Sequence, residues 1–137
     1  MILYLDTSVI LRHLLGQAKT LDLAHAQEAF SSEIMGLEAR RVIDRLRLES
    51  VLDDEGVAQA QQELTRMEHS IGYILLTRPV LRRAALPMPT VVKTLDAIHL
   101  ASALSLQERR SESLTFATHD MQQATGARAL GFRVIGI

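Results

Sequence analysis

The sequence predicts a single α/β domain over residues 1–137, an α/β/α arrangement around a parallel sheet of four or five strands. Two observations carry this prediction. Short apolar runs, the first being Ile2–Leu5, alternate with longer stretches of helical spacing. That order builds parallel sheets through helical crossovers. The length of 137 residues suits one compact core, and no repeat, low-complexity tract or linker divides it.

Along the chain, Ile2–Leu5 has no polar face and therefore belongs in the middle of the sheet. After Asp6, Thr7 and Ser8, the run Val9–Leu15 reads as a helix stopped by Gly16. Residues 20–29 read as a second helix. Phe30-Ser31-Ser32 is a short extended piece, with Ser31 or Ser32 able to cap the next helix. That helix, 33–49, aligns Met35, Ala39, Val42, Ile43 and Leu46 on one face. Asp53 or Asp54 caps another helix to about His69. Ile71–Leu76 is strand-like. Residues 78–86 are helical up to Pro87, which with Pro89 marks a loop. Thr94 caps the helix Leu95–Arg110. Leu114–Thr118 is a strand, 121–130 a helix ending at Gly131, and Phe132–Ile137 the last strand.

Global properties exclude more than they assign. The net charge of −1 does not advertise nucleic-acid binding, so any such contact needs a local patch. Of 15 Lys and Arg residues, only Lys19 and Lys93 are Lys. Arg suits bidentate contact with phosphate, although a GC-rich genome gives the same bias. The absence of Cys removes thiolate catalysis, cysteine zinc sites and disulfides, and fits a reducing compartment. No stretch approaches the ~20 apolar residues of a membrane span, and the N-terminus enters a strand without a signal-like segment. The expectation is a soluble cytoplasmic protein. No GxGxxG, GxxxxGK[ST] or HExxH occurs.

Four acids stand out. Asp6 lies at the carboxyl end of the first strand, which opens into the crevice where α/β folds bind ligands; the alternative is a simple helix cap. Glu38 borders the apolar face of its helix, with an intrahelical pair to Arg41 as the alternative. Asp96 enters a helix that is apolar almost all round, where a charge needs a partner or a metal. Asp120 opens the helix after the Leu114–Thr118 strand, and capping is again the alternative. His99, one turn after Asp96, reads as a hydrogen-bonded core residue. Thr7, Ser8 and Thr118 place hydroxyls beside the first and last of the acids. Parallel topology gathers three of these points at one sheet edge. Clustered carboxylates raise one another's pKa, and a hard divalent cation, Mg²⁺ or Mn²⁺, resolves the repulsion.

The segments LDTSVI, SSEIMGLEARR, LDAIHLASAL and FATHDMQQATGARALGFRVIGI together resemble the PIN-domain nucleases, and among them the VapC-like toxins of bacterial toxin–antitoxin pairs. The similarity runs in order along essentially the whole chain. It implies a PIN-like fold and a Mg²⁺-dependent endoribonuclease, with Mn²⁺ as a possible substitute, usually homodimeric and silenced by a cognate antitoxin. It makes Asp6, Glu38, Asp96 and Asp120 the metal-binding acids, with Thr7 and Thr118 at the catalytic hydroxyl positions. Many relatives carry a further acid soon after the last Asp. Met121-Gln122-Gln123-Ala124 offers none, which argues against a fully occupied two-metal site.

Two other classes compete. A phosphoacceptor receiver domain also places acids at strand ends, but it has adjacent acids at the first strand and a late Lys, both missing here. A PIN-like domain that only binds a partner would not require acids at all four positions. Arg12, Arg40, Arg41, Arg45, Arg78, Arg82 and Arg83 are the candidates for RNA contact. With two Tyr, three Phe and no Trp, base stacking should not dominate binding. A groove between Leu11, Leu14, Leu15, Leu21 and Leu23 and the 33–69 helical pair is the expected seat of an antitoxin segment.

Overall fold

The computed structural model describes residues 1–137. In chain order the elements are β1 (Ile2–Leu5), α1 (Thr7–Leu14), β2 (Glu28–Ser32), α2 (Ile34–Leu48), α3 (Asp54–Ser70) and β3 (Gly72–Ile74). They continue with α4 (Arg78–Ala84), α5 (Thr94–Arg110), β4 (Thr115–Ala117), α6 (Met121–Ala129) and β5 (Arg133–Ile135). The five strands form one sheet in the order β3-β2-β1-β4-β5, and every pairing is parallel. β1 is therefore central, as its unbroken apolar run requires.

Alternation along β1 divides the core into two layers. Leu3 and Leu5 pack with Val9, Ile10, Met35, Ile43 and Leu64 from α1, α2 and α3. Ile2 and Tyr4 face the opposite side, with Leu100, Ala103 and Leu106 of α5 and Ala127 of α6. Tyr4 stacks on Phe116 of β4, its partner in register, with ring centroids 5.2 Å apart. Helices thus cover both faces of a sheet whose middle strand is wholly buried.

The structure corrects several expectations. Residues 20–29 are not a helix: an irregular segment leads into β2 at Glu28. Strand pairing decides this, because Ile2, Leu3 and Tyr4 take Glu28, Ala29 and Phe30 as register partners. Tertiary context overrides the helix preference of the Ala, Glu and Gln in this stretch. Leu21 and Leu23 consequently lie over the α1–α3 layer with Leu11 and Leu15, and Leu14 is buried in it. Thr94 does not cap α5 but is its first residue; Lys93 holds the cap position without a side-chain bond. Ser32 accepts from the Ile34 amide, whereas Ser31 donates to the Leu5 carbonyl and ties β2 to the end of β1. Asp53 caps α3 through the Gly56 amide. No helix is long and apolar enough to cross a membrane.

The end of the chain packs against the segment that follows β4. Gly136 has φ +104°, and a Cβ there would collide with the Thr118 carbonyl. The Gly136 carbonyl lies 2.7 Å from His119 Nδ1. Gly136→Ala is expected to lower unfolding free energy by roughly 1–3 kcal/mol, the usual cost of such backbone strain. Urea denaturation measures this, and an unchanged midpoint would contradict it.

Candidate active site

Asp6 leaves the sheet at its centre. Its amide donates to the Ala117 carbonyl at 2.9 Å, continuing the β1–β4 ladder by one bond. Although Asp6 stands at the N-cap position of α1, its side chain makes no capping bond. Oδ2 instead accepts from the Ser8 hydroxyl at 2.6 Å and the Thr118 hydroxyl at 2.9 Å. Asp6 and Thr118 are 5% and 0% exposed, so this carboxyl group is buried and held by one hydroxyl from α1 and one from the residue after β4. The simple capping alternative does not hold for Asp6.

Asp120 does cap its helix: its Oδ1 accepts from the Gln123 amide at 2.9 Å. The Asp120 amide donates to the Thr118 hydroxyl, which links it to Asp6 through one oxygen. Asp96, half-buried in the first turn of α5, has its pKa pushed from 3.8 up to about 6. Burial is the largest cause, followed by the charges of Asp6 and Asp120; Glu38 adds to them and His99 opposes. This coupling places the four acids in one electrostatic neighbourhood.

Glu38 is not paired with Arg41, which bridges to Asp44. Its Oε1 accepts from the Thr7 hydroxyl at 2.8 Å and lies 2.8 Å from His99 Nε2. His99 is fully buried, and its Nδ1 lies 2.8 Å from the Tyr4 hydroxyl. Burial disfavours the imidazolium, but the Glu38 hydrogen bond and the charges of Asp6, Glu38 and Asp96 outweigh it and raise the pKa. His99 is thus a core residue, as expected, and also a neighbour of the acids. The parts that Tyr4 and Gln123 play at the site were not expected from the sequence. Gln123 is fully buried between Asp120 and α5, where its side-chain nitrogen donates to the Asp96 carbonyl.

As the side chains stand, no three His, Asp or Glu groups are arranged to hold one ion. Asp6, Glu38 and Asp120 each have one carboxylate oxygen engaged by a neighbour and keep the other. The donor set nevertheless fits a hard divalent cation. It is made of carboxylate and hydroxyl oxygens, and the raised Asp96 pKa records a repulsion that such a cation would relieve.

The fold and site define a class of α/β proteins with acids gathered at the carboxyl edge of a parallel sheet. The chain belongs to the PIN-domain family, whose model, described as PIN domain, matches residues 3–125. A curated relative, Ribonuclease VapC47 of Mycobacterium tuberculosis (strain CDC 1551 / Oshkosh), is 28% identical over 138 residues. That match covers 95% of this chain and 93% of the relative. The crystal structure of FitAcB from Neisseria gonorrhoeae is similar in fold, with a TM-score of 0.59 at 21% identity. The likeness covers 98% of this chain and 96% of that one.

The pKa shifts fix a pH dependence. Asp96 titrates higher in the folded protein than in the unfolded chain, so the folded state holds the extra proton between about 4 and 6. Stability from this group falls as pH rises through that window. His99 is also raised, so its contribution is complete below its ordinary value and is lost as pH passes its folded pKa. The ion-paired carboxylates Glu28, Glu68 and Glu108 are lowered and stay ionised throughout. The melting temperature in EDTA should therefore decline as pH rises through the Asp96 window and on above the ordinary histidine value, and Asp96→Asn should raise it near neutral pH. A flat or rising parent profile would contradict this assignment.

Proposed function

We propose that the protein is a divalent-metal-dependent endoribonuclease and the toxin of a type II toxin–antitoxin pair. The observation that carries this reading is the shared electrostatics of Asp6, Glu38, Asp96 and Asp120 at the sheet edge of a PIN domain. Asp6, Asp96 and Asp120, with Glu38, would hold Mg²⁺, or Mn²⁺ in its place. When bound, the cation supplies Lewis-acid stabilisation of the charge that develops on a phosphoryl group.

The chain's own residues prepare the site for it. Thr118 and Ser8 orient Asp6, Thr7 and His99 orient Glu38, and the Gln123 amide orients Asp120. With the hydroxyls of Thr7 and Thr118 engaged in this way, hydrolysis would use water rather than a protein nucleophile. The name of the M. tuberculosis relative, a ribonuclease, supports RNA as the substrate; a partner antitoxin as the silencing agent follows from the resemblance to toxin–antitoxin toxins. The site as described needs no second copy, so a homodimer, as in the family, would enter as an assembly.

Ion pairing narrows the candidates for RNA contact. Arg40, Arg41 and Arg83 are bridged to Glu68, Asp44 and Glu108, and Arg45 reaches Glu49 at 3.9 Å. Arg12 has only a 3.4 Å bond to the Lys19 carbonyl. It also lines a cleft of about 320 Å³ with Ser8, His119 and Asp120. A phosphate entering this cleft beside Asp120 could pair with this guanidinium.

Purified protein is expected to cleave RNA with Mg²⁺ or Mn²⁺ and to stop in EDTA. Asp6→Asn or Asp96→Asn should lower kcat by roughly a hundredfold or more, the scale for losing one preorganised stabilising group. Undiminished cleavage by both variants would sink the reading. In RNA-binding titrations without metal, Arg12→Ala should weaken binding evenly across sequences. It should also reduce the logarithmic salt slope by about 0.7, one phosphate contact on a single strand. An unchanged slope would remove Arg12 from the substrate path.

A further inference from the structure

We infer that Tyr4 and His99 form a buried strut that positions Glu38, so that this acid presents its second oxygen to the ion while its first is held by protein. The inference rests on the metal-site reading above and adds two residues to it.

The bonding capacity of each atom constrains the arrangement. The Glu38 carboxylate only accepts hydrogen bonds, and the Thr7 hydroxyl gives its proton to Glu38 Oε1. His99 Nε2, 2.8 Å from the same oxygen, must therefore carry a proton, whether the ring is neutral or charged. A ring held only at Nε2 could still turn. Nδ1 prevents this through its 2.8 Å contact with the Tyr4 hydroxyl. Tyr4 is itself confined by packing: it is fully buried in the central strand, stacked on Phe116, and edge-on to the His99 ring at 5.8 Å. A rigid line thus runs from the middle of the sheet to one carboxylate oxygen. This is the arrangement in which a ligand's outer partner fixes its orientation, and losing such a partner typically weakens metal affinity about 10–100-fold.

His99 Nε2 also lies 3.7 Å from Asp6 Oδ1, so the test must separate an effect through Glu38 from one through Asp6. Mn²⁺ binding to the full chain, followed by electron paramagnetic resonance, gives Kd for parent, Tyr4→Phe, His99→Gln and His99→Leu. Each is repeated in a Glu38→Gln background. Gln can keep a donor near the Nε2 position, and Tyr4→Phe removes only a hydroxyl, so both should fold even where His99→Leu does not. The expected order of affinity is parent, then His99→Gln, then His99→Leu, with a loss of about tenfold or more in the last. Tyr4→Phe should show a smaller loss in the same direction. In the Glu38→Gln background these losses should largely vanish. Losses that persist in full without Glu38, or affinities equal to the parent's, would overturn the strut. A parent that does not bind Mn²⁺ would overturn the metal-site reading itself, and the strut's role with it. Nitrogen-15 spectra of the metal-free parent provide a further check. Nε2 should appear protonated, and Nδ1 should shift in Tyr4→Phe; a ring protonated only at Nδ1 would also overturn the proposal.

Discussion

Pairing β1 on both sides is the constraint on which the rest of this structure depends. With β2 on one flank and β4 on the other, β1 has no free edge, and its next residue must leave the sheet at its centre. That residue is Asp6. Its amide bonds to Ala117, and the Thr118 amide bonds to Ile135, so three strand ends are fixed relative to one another. The Thr118 hydroxyl can then serve both the Asp6 carboxylate and the Asp120 amide. The α5 start reaches the same place because its buried face packs on the Ile2 and Tyr4 side of the sheet. The site is thus a consequence of sheet order before it is a matter of side chains.

Gathering acids there works against stability. A fold built only to be stable would not put Asp96 where burial and three like charges raise its pKa to about 6. Other carboxylates of the chain show the opposite arrangement. Glu28 meets Arg110, Glu68 meets Arg40 and Glu108 meets Arg83, and each has its pKa lowered by a hydrogen-bonded guanidinium. The chain therefore has Arg to spare for neutralising acids, yet none is paired with the four at the sheet edge. Hydroxyls, one backbone amide and one imidazole hold them instead. These groups orient carboxylates without cancelling most of their charge. Such unresolved strain concentrates at functional sites.

Much of this was legible in the sequence, for physical reasons that differ by element. Ile2–Leu5 could be placed centrally because a strand buried on both faces leaves no polar alternation. Helices α2, α3 and α5 follow from long periodic stretches and from Asp53, whose cap is local. Residues 20–29 misled because their residue types favour a helix, while the decisive interaction is pairing with a strand 26 positions away in register (Ile2 with Glu28). The acids could be named because Asp6, Asp96 and Asp120 sit at a strand end or helix start, and Glu38 at the border of an apolar helix face. Their bonding could not. Whether Asp6 caps its own helix or is held by Thr118, and whether Glu38 finds Arg41 or His99, depends on contacts across 31 to 112 positions. Tyr4 lies in the apolar Ile2–Leu5 run and is core, as that run implies; only its hydroxyl, reaching His99, gives it a further part.

Whether these four acids share one cation is the question on which the functional reading turns. Crystals grown with Mn²⁺ and measured at the manganese absorption edge test it most directly. One strong anomalous peak is expected at the carboxyl end of β1, with oxygens of Asp6, Asp96 and Asp120 and the second oxygen of Glu38 as ligands. Full manganese occupancy elsewhere, with the Asp6, Asp96 and Asp120 carboxylates still bonded only to protein, would contradict it.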